Sequence, residues 1–393
     1  MMMSKKFIAV TAVLTATTAL AGCGSKSTGS SSSNGDTIKI GANLELTGAV
    51  AAFGTSQLNG IKLAMEEINS AGGVNGKKLE VVSADNASKK DESTRTATKL
   101  ITEDKVDVLM GAAISGDTFA AVEVANNKKI PMLTPSATND DITFDHKKNK
   151  LNDYVFRACF IDSFQGKVMA DFSADNLKAK NAVIYTDNSS DYSKGLAKSF
   201  KSEFESKGGK IVAEESYQTK DTDFKAVLTR IKTLNPEVIW VPGYYEEVGK
   251  IVKQAREMGI TAAIEGGDGW DAPQLVDIAG KENLNNTFIS NHYTSEDPDP
   301  KVRKFIDAFK AKYNTVPDAM AVLGYDATYM VADAVKRAGS TDKEKIKEAL
   351  ANTKNFEGVT GKISLDKNHD PVKAAVVLEY KDGKQTFNTK VQP

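Results

Sequence analysis

The chain has 393 residues, 40% of them hydrophobic and 26% charged, with 51 Lys and Arg against 52 Asp and Glu. That length exceeds one ordinary domain and the apolar content suffices for real cores, which excludes wholesale disorder. Balanced charge removes the electrostatic footprint of a nucleic-acid binder. Three histidines (His146, His292, His369) and two cysteines (Cys23, Cys159), all far apart in the sequence, leave little from which to build a zinc, iron–sulfur or thiol-redox centre.

The N-terminus reads as an address rather than as fold. Lys5 and Lys6 precede a short apolar run over residues 7–20, the basic-then-apolar order of a secretory signal peptide, too short for a stable membrane anchor. Leu20-Ala21-Gly22-Cys23 looks like a bacterial lipobox, which implies a signal peptide over residues 1–22, cleavage before Cys23 and diacylglycerol on its sulfur. Residues 24–35 contain no apolar side chain, so residues 23–35 are expected to be a flexible tether with a reach of roughly 20 Å. The body is thus expected outside the cytoplasmic membrane, lipid-anchored to its outer face. Cleavage removes two lysines and no acid, leaving 49 basic against 52 acidic residues, a net charge of −3. Cys159 is then the sole thiol, and the cores must carry stability without an internal disulfide.

From residue 37 strands and helices alternate. A β-branched strand over 37–43 precedes an amphipathic stripe, Leu58, Ile61, Met65 and Ile68, that stops at Gly72-Gly73. Strand 78–83, helix 88–104, strand 106–110, helix 115–127 and strand 130–133 follow. After Phe156 a second series runs through helix 163–177, strand 181–186, helix 191–207, strand 210–217, helix 222–234, strand 237–241, helix 245–258 and strand 261–265. Helices over 299–313, 318–338 and 343–352, the last behind a capping box Thr341…Glu344, lead to a hairpin over 373–380 and 385–391. This is the pattern of βαβ units: an α/β fold with two doubly wound parallel-sheet lobes, the late helices returning to cover the first.

In parallel sheets ligands sit beyond the carboxyl ends of the strands. In the first lobe those ends carry Phe53, Ser115 and the run Thr134-Pro135-Ser136-Ala137-Thr138; in the second they carry Tyr192, Tyr244 and Gly266-Gly267-Asp268-Gly269-Trp270. Hydroxyls and backbone N–H groups at helix N-termini suit a carboxylate. A carboxylate between glycines, with tyrosines nearby, suits an ammonium on a carbon chain. Together they form an amino-acid zwitterion site. Each residue also has an ordinary structural reading: Ser115 as an N-cap, Asp268 as a turn aspartate, Tyr244 and Tyr325 as core or rim aromatics, Phe53 as a hydrophobic staple.

The stretches 40–54 (IGANLELTGAVAAFG), 60–73 (with AMEEINSAGG), 107–115, 130–138 (IPMLTPSAT) and 156–166 (FRACFIDSFQG), with Tyr192…Gly195-Leu196-Ala197 and Gly243-Tyr244, resemble the type I periplasmic solute-binding proteins of branched-chain amino-acid ABC transporters. The resemblance covers essentially all of residue 36 to the C-terminus. It implies two lobes joined by a three-crossing hinge near 156–159, 287–291 and 359–366, with the N-terminal lobe over 36–157 and 290–361 and the C-terminal lobe over 158–289 and 362–393. It further implies that the ligand carboxylate is held at Ser115, the Ser136–Ala137 backbone and Thr138. The ammonium is held by Tyr244 and Asp268 with help from Thr138, while Phe53, Tyr192 and Tyr325 line the side-chain pocket. The implied partners are an amino acid, a membrane permease and its ATPase, with no cofactor and a monomeric clamp. Two departures stand out: Ala87 and Ile114 occupy the places where some members carry a disulfide, and Asp268 is one methylene shorter than the glutamate of well-known members.

An enzyme is the rival reading. The chain has no G-x-S-x-G, no H-E-x-x-H and no G-x-x-x-x-G-K-[ST], and no histidine is expected beside the cleft to serve as a general base. A ligand-sensing receptor, or the same clamp with another small acid or amide as ligand, shares every feature above.

Overall fold

In the computed structural model, which describes residues 37–393, five strands form an all-parallel first sheet in the order Lys78–Asp85, Thr37–Leu44, Val108–Gly111, Met132–Thr134, Val155–Arg157. The signal peptide, the lipobox with Cys23 and the tether lie outside the described residues. A second sheet has seven strands, in the order Lys384–Val391, Ala375–Lys381, Thr287–Asn291, Ala263–Gly266, Val238–Trp240, Asn181–Asp187, Lys210–Tyr217. The last five of these run parallel and the C-terminal hairpin adds antiparallel strands at one edge. Central strands such as Val108–Gly111 and Val238–Trp240 are buried along their whole length, as expected where helices cover both faces.

The helices are α1 (Ala51–Ser70), α2 (Lys90–Thr102), α3 (Ser115–Lys128), α4 (Asp162–Asp171), α5 (Asp191–Ser206), α6 (Lys225–Leu234), α7 (Tyr245–Glu257), α8 (Gln274–Ala279), α9 (Pro300–Tyr313), α10 (Ala319–Ala338) and α11 (Lys343–Ala351). Ile38, Ile40, Leu44 and Met110 of the first sheet pack with Ile61 of α1, Met330 and Val335 of α10 and Leu350 of α11, so the late helices do return to the first sheet. The second sheet buries one face against α6, α7 and α8 and the other against α4 and α5.

Several boundaries differ from the sequence reading. Helix α1 starts at Ala51, well before the stripe at Leu58, because its first turn has no side-chain cap to announce it. Phe53 therefore lies inside the helix and is not a staple ahead of it. The cap of α11 is Asp342, whose Oδ1 accepts the Lys345 N–H at 3.0 Å, while Glu344 turns outward to Tyr154 and Lys347. Residues 172–176 continue α4 as a π-turn. Thr287–Asn291 is a full strand of the second sheet, so the chain leaves that sheet only after it. Gly361–Leu365 sits in a separate three-stranded sheet with Phe356–Gly358 and Pro371–Val372, and the chain re-enters the second sheet at Ala375.

The connections between the sheets are fastened to one another. Buried Arg157 places its Nε 2.7 Å from Asp370 Oδ1, and the His369 ring stacks on Phe156 at 4.2 Å. Lys373 Nζ donates to Thr360 Oγ1 at 2.6 Å and reaches the Ala158 carbonyl at 3.5 Å. Burial pushes the Lys373 amine down to about 8.

Helices α1 and α10 meet where α1 has no side chain: a Cβ on Gly60 would stand 1.9 Å from the Ala321 carbonyl oxygen. Gly60→Ala is expected to force the two helices apart and cost at least about 1–3 kcal/mol. Urea unfolding measures this directly; an unchanged midpoint would contradict the packing described.

Candidate functional site

The first wall grows from the carboxyl ends of the first sheet. After Val108–Gly111 the chain turns into α3, and the N–H groups of Ala113 and Ile114 at that turn donate to the buried Glu45 carboxyl at 2.9 and 3.2 Å. Burial, reinforced by the neighbouring Asp117, pushes Glu45 up to about 8. Ser115, the first residue of α3, accepts the Asn139 N–H on its Oγ at 3.2 Å and keeps its own hydroxyl proton uncommitted. After Met132–Thr134, the Ser136 hydroxyl donates to the Ala113 carbonyl at 2.7 Å and accepts from Gln57 Nε2. Thr138 Oγ1 is buried with no partner among the described residues. An unpaired buried hydroxyl carries a desolvation cost that a ligand oxygen would relieve.

The second wall grows from the carboxyl ends of the second sheet. The strand Ala263–Gly266 runs into a single 3₁₀ turn, Asp268–Trp270. The glycines around Asp268 serve close approach: a Cβ on Gly266 would meet the Trp270 ring at 2.1 Å, and one on Gly267 would stand 2.6 Å from Tyr192 Oη. Asp268 is 2% exposed and accepts on both oxygens. Tyr192 Oη donates to its Oδ1 at 2.8 Å, Gln165 Nε2 to the same oxygen at 3.2 Å, and His292 Nε2 lies 2.9 Å from Oδ2. Tyr192 stacks on Tyr244 with centroids 5.0 Å apart, and Phe53 meets Tyr244 edge-on at 5.8 Å.

Between the walls lies a narrow space bounded by Phe53, Ser115, Ser136, Thr138, Tyr192, Tyr244 and Asp268, with Ala113, Ile114, Gly269 and Met320. Larger hollows exist, such as the open trough beside α3 and α5 rimmed by Lys147, Lys148, Lys194 and Asp145. The small space is where the loops at the carboxyl ends of both sheets meet.

Two sequence-derived candidates are not at this space. Tyr325 is on another face of α10; its hydroxyl donates to Glu67 at 2.6 Å and its ring packs on Phe305 and Tyr329. The α10 residue that reaches the cavity is Met320, five positions earlier and about 140° away around the helix. Ala137 is buried beside the wall, but its N–H donates to Thr134 Oγ1 at 3.1 Å and its carbonyl accepts from Arg157 at 3.1 Å, so its backbone is already committed.

His292 corrects a third expectation, because a histidine does stand beside the cleft. It follows directly on Thr287–Asn291, at the same strand edge as the other site loops; reading that segment as a crossing rather than a strand hides it. Gln165 and Glu45 were in quoted stretches of sequence, yet nothing local to them reveals that they serve Asp268 and the α3 turn. Burial pulls His292 down to about 4, against the opposing pull of Asp268, so its ring is neutral near pH 7. Burial likewise pushes the carboxyl of Asp162, beside Thr138, well above the usual range, with Asp140 adding to it.

Comparison with known proteins gives the chain its relatives. Residues 37–385 match the family described as periplasmic binding protein. The chain is 34% identical to the leucine-, isoleucine-, valine-, threonine- and alanine-binding protein of Pseudomonas aeruginosa, over 85% of this chain and 87% of that protein. Among solved structures it is 44% identical to the branched-chain amino acid transporter substrate-binding protein LivJ of Streptococcus pneumoniae in complex with isoleucine, with a TM-score of 0.85, covering 91% of this chain and 100% of that one. It is 38% identical to the leucine-binding protein LivK of Thermotoga maritima, again with a TM-score of 0.85, covering 91% and 99%.

The buried neutral ring of His292 has a consequence for stability. Its folded pKa of about 4 lies below the ordinary value, so the unfolded chain binds the proton more readily. Its contribution is complete above about pH 6.5 and is lost as pH falls towards 4, by up to on the order of 3 kcal/mol. His292→Gln, which keeps a neutral donor, should lose less stability than the parent over that window. Parallel stability curves for the two proteins from urea unfolding would contradict this.

Proposed function

The chain belongs to the periplasmic binding protein family, and we propose that it is the extracytoplasmic substrate-binding lipoprotein of an ABC importer, which captures leucine, isoleucine or valine between two closing lobes and hands it to a membrane permease. One observation carries the ligand class. A buried carboxylate, Asp268, holds three neutral donors and, among the described residues, no Lys or Arg, and it lines one narrow space with the hydroxyls of Ser115 and Thr138.

In this reading the ammonium sits on Asp268 and the carboxylate on the hydroxyls of Ser115 and Thr138 and the loop at Ser136. The side chain lies against Phe53, Tyr244 and Met320. Each lobe is a sheet with its helices, and the hinge is the set of connections fastened by Arg157, Asp370 and Lys373. The first lobe comprises residues 36–157 with α9, α10 and α11; the second comprises residues 158–291 with the C-terminal hairpin. Across the mouth Lys90 of α2 pairs with Asp191 of α5 at 2.8 Å, Asn139 Nδ2 donates to the Asp191 carbonyl at 2.9 Å, Tyr245 Oη donates to the Ala49 carbonyl at 3.4 Å, and Phe53 packs on Tyr244 and Tyr245. A zwitterion held at both ends supplies the differential affinity that closure needs. Leucine has about nine heavy atoms, so roughly −13 kcal/mol is the ceiling. Micromolar capture uses about −8 kcal/mol, which leaves room for closure.

The N-terminal run Leu20-Ala21-Gly22-Cys23 supports lipid anchoring at Cys23 after removal of residues 1–22, with 23–35 as tether. The body then works as a monomer on the outer face of the cell membrane, binding without turning its ligand over.

A thermal-shift screen of the twenty amino acids should find leucine, isoleucine and valine stabilising, by about 2.7 kcal/mol at one hundred times Kd. If none of the three moves the unfolding transition, the ligand assignment fails. Asp268→Asn should weaken leucine binding by about 2–5 kcal/mol, 30-fold or more, because it removes the charge that pairs with the ammonium. Tyr325→Phe should leave calorimetric affinity within twofold; a large loss would return Tyr325 to the pocket. Lys90→Ala, which breaks a solvent-exposed pair, should weaken binding by no more than about fivefold.

A further inference from the structure

Resting on that reading of the site, we infer that His292 is a positioning residue that makes the pocket demand an ammonium group: it fixes the Asp268 carboxylate as an uncompensated anion and thereby excludes the 2-oxo acid of the same carbon skeleton.

The ring is held on one face and at one nitrogen. Its backbone N–H donates to Asn291 Oδ1 at 2.7 Å, and Asn291 Nδ2 is in turn held by Asp271 Oδ2 at 2.9 Å. Its imidazole stacks on Phe160 with centroids 3.7 Å apart and an interplanar angle of 18°, and its side chain is fully buried. Nε2 is 2.9 Å from Asp268 Oδ2, whereas Nδ1 has no partner among the described residues. A neutral imidazole has one N–H, and the carboxylate can only accept, so the proton belongs on Nε2 and Nδ1 is the bare acceptor.

The count of donors around Asp268 gives this ring its consequence. A carboxylate offers about four acceptor positions. Tyr192 and Gln165 take two on Oδ1 and His292 takes one on Oδ2, which leaves one on Oδ2 for the cavity. Gln165 is itself pinned, because its Oε1 accepts from Ser290 Oγ at 2.9 Å and from the Asp268 N–H at 3.3 Å. All three donors are neutral, so they hold the carboxylate in place and stabilise its ionised form without cancelling its charge. Among the described residues no lysine or arginine pairs with Asp268. Lys373 is occupied by Thr360, and Arg157 by Asp370 and the Ala137 carbonyl.

A ligand that brings a positive charge to the open position completes the site. A 2-oxo acid brings a carbonyl oxygen, an acceptor facing an acceptor, and leaves the buried anion unpaired. Remove the donor on Oδ2 and the ionised form loses support on the oxygen that faces the ligand. Without that hold the carboxylate is free to turn from the ligand's ammonium, and discrimination falls. A merely structural role for His292 would weaken both ligands together and leave their ratio alone.

The test is calorimetric titration of the full chain and its variants with leucine and with 4-methyl-2-oxopentanoate. The parent should prefer leucine by 100-fold or more. His292→Leu should reduce that preference at least tenfold, mostly through weaker leucine binding, while His292→Gln, which restores a neutral N–H donor of similar reach, should keep it within threefold. Should the leucine variant fail to fold, His292→Phe retains the stacking on Phe160 and gives the same readout. An unchanged ratio in a folded variant lacking the donor, or a loss that His292→Gln does not restore, overturns the inference while leaving the ligand assignment intact. If the parent binds neither compound, the ligand assignment itself has failed, and the inference falls with it.

Discussion

A carboxylate buried at 2% exposure with no basic side chain paired to it is the constraint around which this molecule is arranged. Burying an ionised group costs far more than burying a methylene, and a folded protein meets that cost with donors, with a counter-charge or by protonation. Here the donors come from three separate elements: Gln165 from α4, Tyr192 from α5 and His292 from the end of Thr287–Asn291. The counter-charge is withheld. The second lobe must therefore be folded before Asp268 can be held as it is, and the remaining electrostatic demand is directed into the cavity.

Other buried acids show that the fold can use a carboxylate in the opposite sense. Asp326 accepts the N–H groups of Val359 and Thr360 at 2.7 and 2.9 Å, and Asp271 accepts that of Ala319 at 2.8 Å together with Asn291 and Gln385. Glu45 clips the turn ahead of α3. These groups spend their acceptor capacity on the chain's own backbone, where side-chain oxygens fix loops that lack secondary-structure hydrogen bonds. Burial raises all three, and none has an acceptor position turned to the cavity walls. Their chemistry is the same as that of Asp268; the direction in which the last lone pair points separates scaffold from site.

The α/β class and the strand-end loops were legible because both are local properties of the chain. Alternating strand and helix periodicity identified the sheets, and the rule that ligands gather at strand carboxyl ends pointed to Phe53, Ser115, Ser136, Thr138, Tyr192, Tyr244 and Asp268, all of which border one cavity. What stayed hidden depends on phase or on distance. Tyr325 looks like a pocket residue by its chemistry, but the phase of α10 turns it to Glu67 and gives the cavity Met320 instead. Gln165 and Asp268 are 103 residues apart, and no pattern in either stretch encodes their contact. His292 was lost through one misassigned element: a strand read as a crossing has no carboxyl end to search.

In the proposed reading, closure joins contacts between the lobes with contacts to the ligand. Across the mouth Phe53 packs on Tyr244 and Tyr245. Lys90, 60% exposed, pairs with Asp191 in solvent, where such pairs contribute about 0–1 kcal/mol. Burial raises the Asp191 carboxyl, but Lys90 and Lys194 outweigh it and leave it below its usual range, so this latch loosens only in acid. The connections between the two sheets are fastened by Arg157–Asp370 and Lys373–Thr360. In the proposed reading, the Thr138 hydroxyl on one lobe and the Asp268 carboxylate, with no basic side chain paired to it among the described residues, on the other are met by a molecule that carries both signs of charge. Closure is thus coupled to the ligand by electrostatics that neither lobe can complete alone.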